Sequence, residues 1–502
     1  MEKPRRLFFP LTGTKETGTD MTYPHKPQDP RPEKNARNAG TVAASEDARR
    51  EDALLEVDIL DFNDDGIGVG RYGQHEVLVG GALPGERVRV AVAHRGQRRI
   101  IGALKEIVRP HPQRIPSPCR CSRRCLGCPL IALDYSEQLN FKEERVKDAM
   151  KHYPQLRNLE VRPVLPAPEP LGYRINAKLV FVKERGRVRL GLYRRGSHNV
   201  IDIGECPLHH PLVNKIVQTV REEVERQGIF VFDERRQTGL LRYLLVRVEP
   251  NNRQAMVTFV VTERNFQQLT HLGKWLQRKV PEVISVQQNI NPREGNIVMG
   301  RETLRLLGVD DLIMNIGDVR LRMAPTSFVQ VNPAQAASMY EITRKWLALN
   351  RKENVLDIYC GIGGIALNLA KDAGKVVGIE LAEEAVRNAR HNAFMNKLRN
   401  CTFRAGDAAE ILEELAAEEL KVTAAVLNPP RGGAEPEVLE RLADLSPERL
   451  VYISCYPATL ARDLAALHDL GFQALIAQPV DMFPQTPHVE TVVLLDREKA
   501  KS

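Results

Sequence analysis

Apolar and polar positions alternate in blocks along the last third of the chain. Five short apolar segments, separated by stretches with helical spacing, lie at 355–359, 376–380, 401–403, 424–427 and 450–454. Short buried strands that alternate with helices are typical of a doubly wound parallel sheet. Residues 325–502 are therefore predicted to form a Rossmann-like α/β domain, in which ligands bind at the carboxyl ends of the strands.

The rest of the chain carries other patterns. Short alternating segments with glycine turns predict a small OB-like β-barrel at 51–110. Its many arginines suit either a solvated face or a surface that follows a phosphate backbone. Residues 111–324 mix both periodicities and predict a central α+β domain, whose helix at 134–152 is a candidate to pack on the C-terminal domain. The polar, proline-bearing residues 1–50 predict a disordered tail, with Met21 as an alternative start.

The composition fits a multi-domain globular protein. The 502 residues are 43% hydrophobic and 27% charged, and this length corresponds to roughly two to four domains. Lysine and arginine outnumber the acids by 72 to 64, and the net charge of +8 permits a polyanionic partner without identifying one. No apolar run reaches the roughly 18 residues of a membrane span, and the N-terminal apolar patch is too short for a signal peptide. We therefore expect a cytoplasmic protein with reduced cysteines.

Half of the eight cysteines fall within ten positions, in the segment P-C-R-C-S-R-R-C-L-G-C-P; they are Cys119, Cys121, Cys125 and Cys128. Thiolates at this density suit a soft metal, and the spacing is compatible with both zinc and an iron–sulfur cluster. The distant Cys206 could complete a set of four, but by itself it is more simply a small buried residue.

Two cofactors compete for the glycine turn after the first strand of the C-terminal domain. The pattern G-x-G-x-x-A begins at Gly361, and Glu380 follows 19 residues later, which is compatible with an NAD enzyme. S-adenosylmethionine binds similar sheets and uses acids at several strand ends. Asp357, Glu380 and Asp407 stand at three such ends, and this distribution favours S-adenosylmethionine.

Two further residues stand at the predicted ligand edge. Cys455 ends a strand just before a helix, where the helix dipole favours a thiolate. The alternative is a buried cysteine without a chemical role. Glu490 begins the final strand near the same edge, so it is either a solvated charge or a general base.

Four segments together resemble the RNA uracil-5 methyltransferase family: D-I-Y-C-G-I-G-G at 357–364, N-P-P-R-G-G at 428–433, Y-I-S-C-Y-P-A-T-L-A-R-D-L at 452–464 and D-M-F-P-Q-T-P-H-V-E at 481–490. The segment S-F-V-Q-V-N at 327–332, at the start of the C-terminal domain, is similar to a further family segment. The barrel unit resembles the family's TRAM domain. The likeness covers about residues 52–496, which is nearly everything except the tail.

The resemblance implies roles for particular residues. Cys455 would add to C6 of uracil, and Glu490 would remove the C5 proton. The S-adenosylmethionine site would include Gln330, Tyr359, Glu380 and Asn428, to which we add Asp407 and Gly361. Cys119, Cys125, Cys128 and Cys206 are similar to the set that ligates a [4Fe–4S] cluster in the RumA-type members, which leaves Cys121 outside the pattern. Asn428 stands where many members have aspartate, so it keeps an acceptor but lacks the charge.

Three hypotheses about function follow in order. The barrel and the cysteine set favour 5-methyluridine formation in 23S ribosomal RNA, because members that act on transfer RNA typically lack both. The second hypothesis is the same chemistry on transfer RNA. The third is an RNA-binding protein with an inactive methyltransferase fold, against which the retained Cys455, Glu490 and Glu380 argue. We expect a monomer that binds RNA, and neither DNA nor a membrane.

Overall fold

The computed structural model describes residues 54–194, 197–293, 295 and 297–497. The tail predicted at 1–50 lies outside the described residues. The described part confirms the predicted fold class, with an N-terminal barrel, a central α+β region and a C-terminal α/β sheet. Over the same residues, no helix has both the length and the apolar character needed to cross a membrane.

Five strands close into the N-terminal barrel: β1 (Leu55–Phe62), β2 (Gly68–Tyr72), β3 (His75–Val79), β4 (Arg87–Arg95) and β5 (Arg99–Arg109). Their order around the barrel is β1-β2-β3-β5-β4, and β4 pairs with β1 to close it. Alternate residues of β1, namely Leu55, Val57 and Ile59, point into the barrel core. Gly70 is required where β2 crosses β1, because a Cβ there would lie 2.4 Å from the Asp58 carbonyl oxygen.

Between the barrel and the central sheet, the chain forms two helices and a short strand. These are α1 (Ser122–Cys125), α2 (Tyr135–Lys151) and β6 (Glu160–Val161). Asp134 caps α2, since its carboxylate accepts a hydrogen bond from the Ser136 amide at 3.0 Å.

The central sheet contains seven strands: β7 (Asn176–Glu184), β8 (Arg187–Tyr193), β9 (Val200–Asp202), β10 (Leu241–Glu249), β11 (Gln254–Val261), β12 (Val283–Ile290) and β13 (Glu302–Gly308). They are ordered β13-β12-β11-β10-β7-β8-β9. Two amphipathic helices, α3 (Pro211–Gln227) and α4 (Phe266–Lys279), contact each other and pack on the sheet. A hairpin of β14 (Leu312–Ile316) and β15 (Val319–Met323) follows and contacts both the central sheet and the C-terminal helices.

The C-terminal sheet is built from β16 (Asn354–Ile358), β17 (Lys375–Glu380), β18 (Cys401–Ala405), β19 (Ala424–Leu427), β20 (Arg449–Ser454), β21 (Phe472–Val480) and β22 (Glu490–Arg497). The helices around it are α5 (Pro333–Leu347), α6 (Gly364–Leu369), α7 (Glu383–Met395), α8 (Ala408–Ala417), α9 (Pro436–Asp444) and α10 (Pro457–Asp469). The strand order is β18-β17-β16-β19-β20-β22-β21-β6. Strands β16 to β20 are parallel, whereas β22 runs antiparallel to its neighbours. The amino end of β22 therefore lies at the edge where the parallel strands end.

Helix α2 and strand β6 join this C-terminal sheet although they precede the central sheet in the chain. Strand β6 pairs in parallel with β21 at the sheet edge, and α2 packs against α10 and β21. One hydrophobic core also extends from the central sheet to one face of the C-terminal sheet. These contacts fix the position of the first half of the chain relative to the ligand edge.

Candidate active site

Cys455 and Glu490 come together at the ligand edge of the C-terminal sheet. Ser454, the last residue of β20, pairs with Thr491 of β22, so the antiparallel register places Glu490 opposite position 455. Glu490 is buried and Cys455 is partly buried. The two groups interact electrostatically, because the Glu490 charge helps to raise the pKa of Cys455.

Burial dominates the protonation of both groups. It raises the pKa of Cys455 to about 11, with a contribution from the charge of Glu490. It raises the pKa of Glu490 to about 7. The prediction that the helix dipole favours a Cys455 thiolate stays a prediction, and burial of the thiol acts against it. A glutamate with a pKa near neutrality suits a general base.

Arg431 is a third member of this site. It is the residue that follows N-P-P in the segment 428–433 and was not predicted as a site residue. Its guanidinium hydrogen-bonds with the Cys455 thiol and lowers the pKa of both Cys455 and Glu490, against the larger effect of burial. Helix α10 holds its loop: the Thr459 hydroxyl donates to the Arg431 carbonyl oxygen at 3.1 Å, and Asp463 accepts from the Ala434 amide at 2.8 Å. The available signal was its place four residues after the end of β19, in the loop at the ligand edge.

The barrel contacts the turn that contains Cys455. The hydroxyl of Tyr456, the residue after Cys455, donates to an Asp64 oxygen at 2.9 Å, and Asp64 lies in the turn between β1 and β2. Arg145 of α2 donates to the other Asp64 oxygen at 3.3 Å. Nothing in the sequence indicated this contact, since almost 400 positions separate Asp64 from Tyr456.

The turn after β16 lies beside two carboxylates that are held by hydrogen bonds, Glu380 and Asp357. Gly361 has a φ of +55°, and a Cβ there would meet no atom of the described residues within 4 Å. Glu380 accepts hydrogen bonds from the Gly361 amide at 3.0 Å and from the Ala382 amide at 2.9 Å. Tyr359, which precedes the turn, has a left-handed φ of +65°, which is uncommon for an aromatic residue. These features leave an open turn with a carboxylate beside it.

Asp357 supplies the strongest sign of a ligand here. It is fully buried, and its Oδ2 accepts from the Ala366 amide at 2.8 Å, while its Oδ1 meets no hydrogen-bond partner in the described part of the chain. Burial raises the pKa of Asp357 to about 7, with a contribution from Glu380. A buried acceptor without a donor is costly. The ammonium group of S-adenosylmethionine is a donor of the right charge, so these residues fit that cofactor.

The other predicted cofactor residues lie at or near this edge. Asp407 caps α8 by accepting from the Ala409 amide at 2.9 Å, and its charge also reaches Tyr359, whose pKa burial raises to about 12. Asn428 follows β19, and its amide donates to the Ile358 carbonyl oxygen at 3.3 Å. Gln330 is partly buried in the segment between β15 and α5.

That segment is anchored by a residue that sequence reasoning missed. Arg247 of β10 is buried, and its two terminal nitrogens donate to the Ala324 and Ser327 carbonyl oxygens at 2.9 and 2.5 Å. The central sheet thereby holds the S-F-V-Q-V-N segment in place. An arginine inside an apolar strand pattern was the only available signal.

The structure brings the four proposed ligands Cys119, Cys125, Cys128 and Cys206 into electrostatic contact. Burial raises the pKa of Cys128 well above its usual range, and the neighbouring Cys206, Cys125 and Cys119 contribute. Cys121 also interacts with Cys119, and its thiol donates to the Asp202 carbonyl oxygen at 3.5 Å. The donor chemistry suits a soft metal. Nevertheless, the residues that the structure describes contain no group of three or more cysteine, histidine or acidic side chains arranged to hold a metal ion.

An open glycine turn beside fixed acids, at the ligand edge of an α/β sheet, fits the class of S-adenosylmethionine-dependent methyltransferases. Over residues 134–498 the chain matches the tRNA (uracil-5-)-methyltransferase family. The chain belongs to this family and is an RNA (uracil-5-)-methyltransferase.

Curated relatives and a solved structure are similar over most of the chain. An uncharacterised RNA methyltransferase of Geobacter sulfurreducens is 45% identical over 460 residues, which cover 91% of this chain and 93% of that protein. Another, from Clostridium tetani, is 37% identical and covers 86% of this chain and 93% of its own length. The crystal structure of Pyrococcus abyssi tRNA (uracil-54, C5)-methyltransferase with S-adenosyl-L-homocysteine matches with a TM-score of 0.71 and 27% identity, over 88% of this chain and 100% of that one.

Proposed function

We propose that this enzyme methylates C5 of a specific uridine through a covalent bond between Cys455 and C6 of the base, and that Glu490 removes the C5 proton. The observation that carries the proposal is the register of β20 and β22, which sets a thiol opposite a buried glutamate at the cofactor edge. C5 of uracil is a weak nucleophile, and addition of a thiolate at C6 converts the ring to an enolate that is reactive at C5.

Each covalent step has a residue in position. The Cys455 sulfur gives its proton to solvent water and bonds to C6, which moves an electron pair toward C5. S-adenosylmethionine supplies the methyl group, so that a C5–carbon bond forms as the sulfonium–methyl bond breaks. Glu490 then accepts the C5 proton, and the released electron pair expels the Cys455 sulfur from C6. The uridine has to leave its stack to reach Cys455.

Arg431 would assist the first step. The thiol of Cys455 has a raised pKa, and a guanidinium that hydrogen-bonds with its sulfur stabilises the thiolate. Asp357, Glu380 and Gly361 would hold the cofactor, together with the predicted Tyr359, Gln330, Asn428 and Asp407.

We also propose that Cys119, Cys125, Cys128 and Cys206 ligate a [4Fe–4S] cluster. The support is their mutual electrostatic contact, while the Cys121 thiol is engaged by the Asp202 carbonyl. Four thiolates are the usual ligands of such a cluster. Cys121 would then be a bystander.

For the RNA substrate, 23S ribosomal RNA is the first candidate because of the barrel and the cysteine set. Transfer RNA is a second candidate, favoured by the similarity to the Pyrococcus abyssi enzyme over nearly the whole chain. Mapping 5-methyluridine in both RNAs from a strain lacking the gene tests the proposal. Loss of one 5-methyluridine from 23S ribosomal RNA is expected, and a loss only from transfer RNA would select the second candidate. No loss from either RNA would contradict the activity.

A further inference from the structure

One face of helix α2 contacts the loop that precedes Glu490. Tyr135, Gln138 and Lys142 follow each other at helical spacing of three and four residues, so they lie on the same face. Gln138 and Lys142 are fully buried although both are polar. Burying such groups is costly unless they are hydrogen-bonded, and their partners all belong to the loop 481–489 or the segments beside it.

Gln138 and Gln485 form a reciprocal pair. The Gln138 side-chain amide donates to Gln485 Oε1 at 2.9 Å and to the Leu133 carbonyl oxygen at 2.8 Å, while its own Oε1 accepts from the Gln485 backbone amide at 3.0 Å. Gln485 has a φ of +71°, a left-handed conformation that is uncommon outside glycine. The pair therefore holds a backbone conformation that the loop sequence alone disfavours.

The same helix face fixes the start of the loop. Lys142 forms a fully buried ion pair with Asp481 and donates to the Phe483 carbonyl oxygen at 3.0 Å. The Tyr135 hydroxyl donates to the other Asp481 oxygen at 2.8 Å. Asp481 is the first residue after β21, and Glu490 begins β22, so these contacts act on the connection between the two strands.

Two residues outside α2 also hold the loop. Leu130 lies in the segment that follows the clustered cysteines, and Tyr173 precedes β7. The Leu130 amide donates to the Gln485 carbonyl oxygen at 3.1 Å, and the Tyr173 hydroxyl donates to the Pro484 carbonyl oxygen at 3.1 Å. Gln485 is thus the point where α2 and the segment after Cys128 meet, five residues before the proposed base.

We infer that Gln138 and Gln485 are positioning residues for proton removal by Glu490. This inference rests on the proposed function. Both residues act through the loop backbone, and neither needs to contact the uridine. Loss of the pair is expected to affect the step that uses Glu490 more than the steps that use Cys455.

The substitution Gln138→Met tests this, because methionine keeps the volume and removes the hydrogen bonds. Two rates are compared on 23S ribosomal RNA and transfer RNA transcripts. Adduct formation on 5-fluorouridine transcripts reports addition and methyl transfer, since fluorine at C5 prevents proton removal. Release of methylated product from uridine transcripts reports proton removal and elimination. Release is expected to slow about tenfold, the order of one lost buried hydrogen bond, with adduct formation within about twofold of wild type.

Several variants keep the test decisive. Asn140→Ala, at an exposed position of the same helix, is the matched control and should leave both rates unchanged. Tyr135→Phe removes the hydrogen bond to Asp481 and the one from the Ala167 amide, and it should give the same split if Gln138→Met does not fold. The double variant with Gln485→Met should be within about twofold of Gln138→Met in release, because the side-chain pair is already lost and only the bond from Gln485 to the Pro170 carbonyl oxygen is removed in addition. Equal slowing of adduct formation and product release in Gln138→Met, or no slowing of either, would overturn the inference. A wild-type enzyme that forms no adduct would instead overturn the proposed function.

Discussion

Glu490 lies opposite Cys455 across the junction of β20 and β22, although 35 positions separate them in the sequence. The reversed direction of β22 makes this possible, because it brings the start of a strand to the edge where the parallel strands end. The proposed nucleophile thus directly follows one strand, and the proposed base begins the strand that is hydrogen-bonded to it. The predictions below follow from this geometry and from the burial of the groups involved.

The burial of Glu490 predicts a pH-dependent cost to stability. Its pKa rises from an ordinary 4.5 to about 7, so the folded state binds more protons than the unfolded state between these values. Stability is therefore lost as pH rises through this window, by up to about 3 kcal/mol. Glu490→Gln cannot ionise, and it should raise the thermal midpoint relative to wild type at pH 8 but not at pH 4. Glu437→Gln, an exposed substitution on α9, is the control; a Glu490→Gln midpoint equal to wild type at pH 8 would refute the assignment.

Asp357→Asn tests the cofactor site. Asparagine keeps an acceptor for the Ala366 amide but removes the charge from the unpartnered oxygen that we assign to the cofactor ammonium. Affinity for S-adenosyl-L-homocysteine, measured by isothermal titration calorimetry, is expected to fall at least about tenfold, as for one charge-assisted hydrogen bond. Glu410→Gln, on the exposed side of α8, should bind like wild type. An unchanged affinity in Asp357→Asn would remove Asp357 from the site.

Arg431→Gln tests the stabilisation of the Cys455 thiolate. Without the guanidinium, the pKa of Cys455 should rise further, and alkylation of this cysteine by iodoacetamide at pH 8 should slow about tenfold, the order of one hydrogen bond to a charged group. The rate is followed by mass spectrometry of the peptide that contains Cys455. Arg441→Gln removes a partly exposed arginine on α9 and should have no effect. Equal alkylation rates for the two variants would show that Arg431 does not act on the thiol.

The proposed cluster is ligated by Cys128 but not by the nearby Cys121, so substitutions of these two cysteines should have different effects. Anaerobic purification is expected to yield about four irons per chain, as for a cubane cluster. Cys128→Ser should lose this iron and its visible absorption, whereas Cys121→Ser should keep both, because the Cys121 thiol is directed at the Asp202 carbonyl. A colourless zinc protein, or equal iron loss in the two variants, would contradict the assigned ligand set.

Strand patterns alone located much of the site. The apolar runs that end at Tyr359, Glu380 and Ser454 place their following residues at one edge of a parallel sheet, and the structure has this sheet. The sequence could therefore bring Cys455 close to the cofactor turn. It also indicated Glu490 at the same edge, because a final strand follows it.

Other features depend on contacts that no local pattern records. The raised pKa of Cys455 results from burial, which depends on packing and which no local pattern records. The contact between Asp64 and Tyr456 joins segments almost 400 positions apart. Gln138 looked like an ordinary polar position on an amphipathic helix, and only the fold shows that it faces Gln485.

The central claim is that Cys455 bonds to the uracil ring and that Glu490 completes the reaction. The most direct measurement is mass spectrometry of the adduct formed with 5-fluorouridine-substituted 23S ribosomal RNA and transfer RNA transcripts in the presence of S-adenosylmethionine. We predict that the wild type is trapped through Cys455, and that Cys455→Ala forms neither adduct nor methylated product. Glu490→Gln should also accumulate a methylated adduct on uridine transcripts. An adduct that persists in Cys455→Ala, or that maps to another residue, would contradict the account.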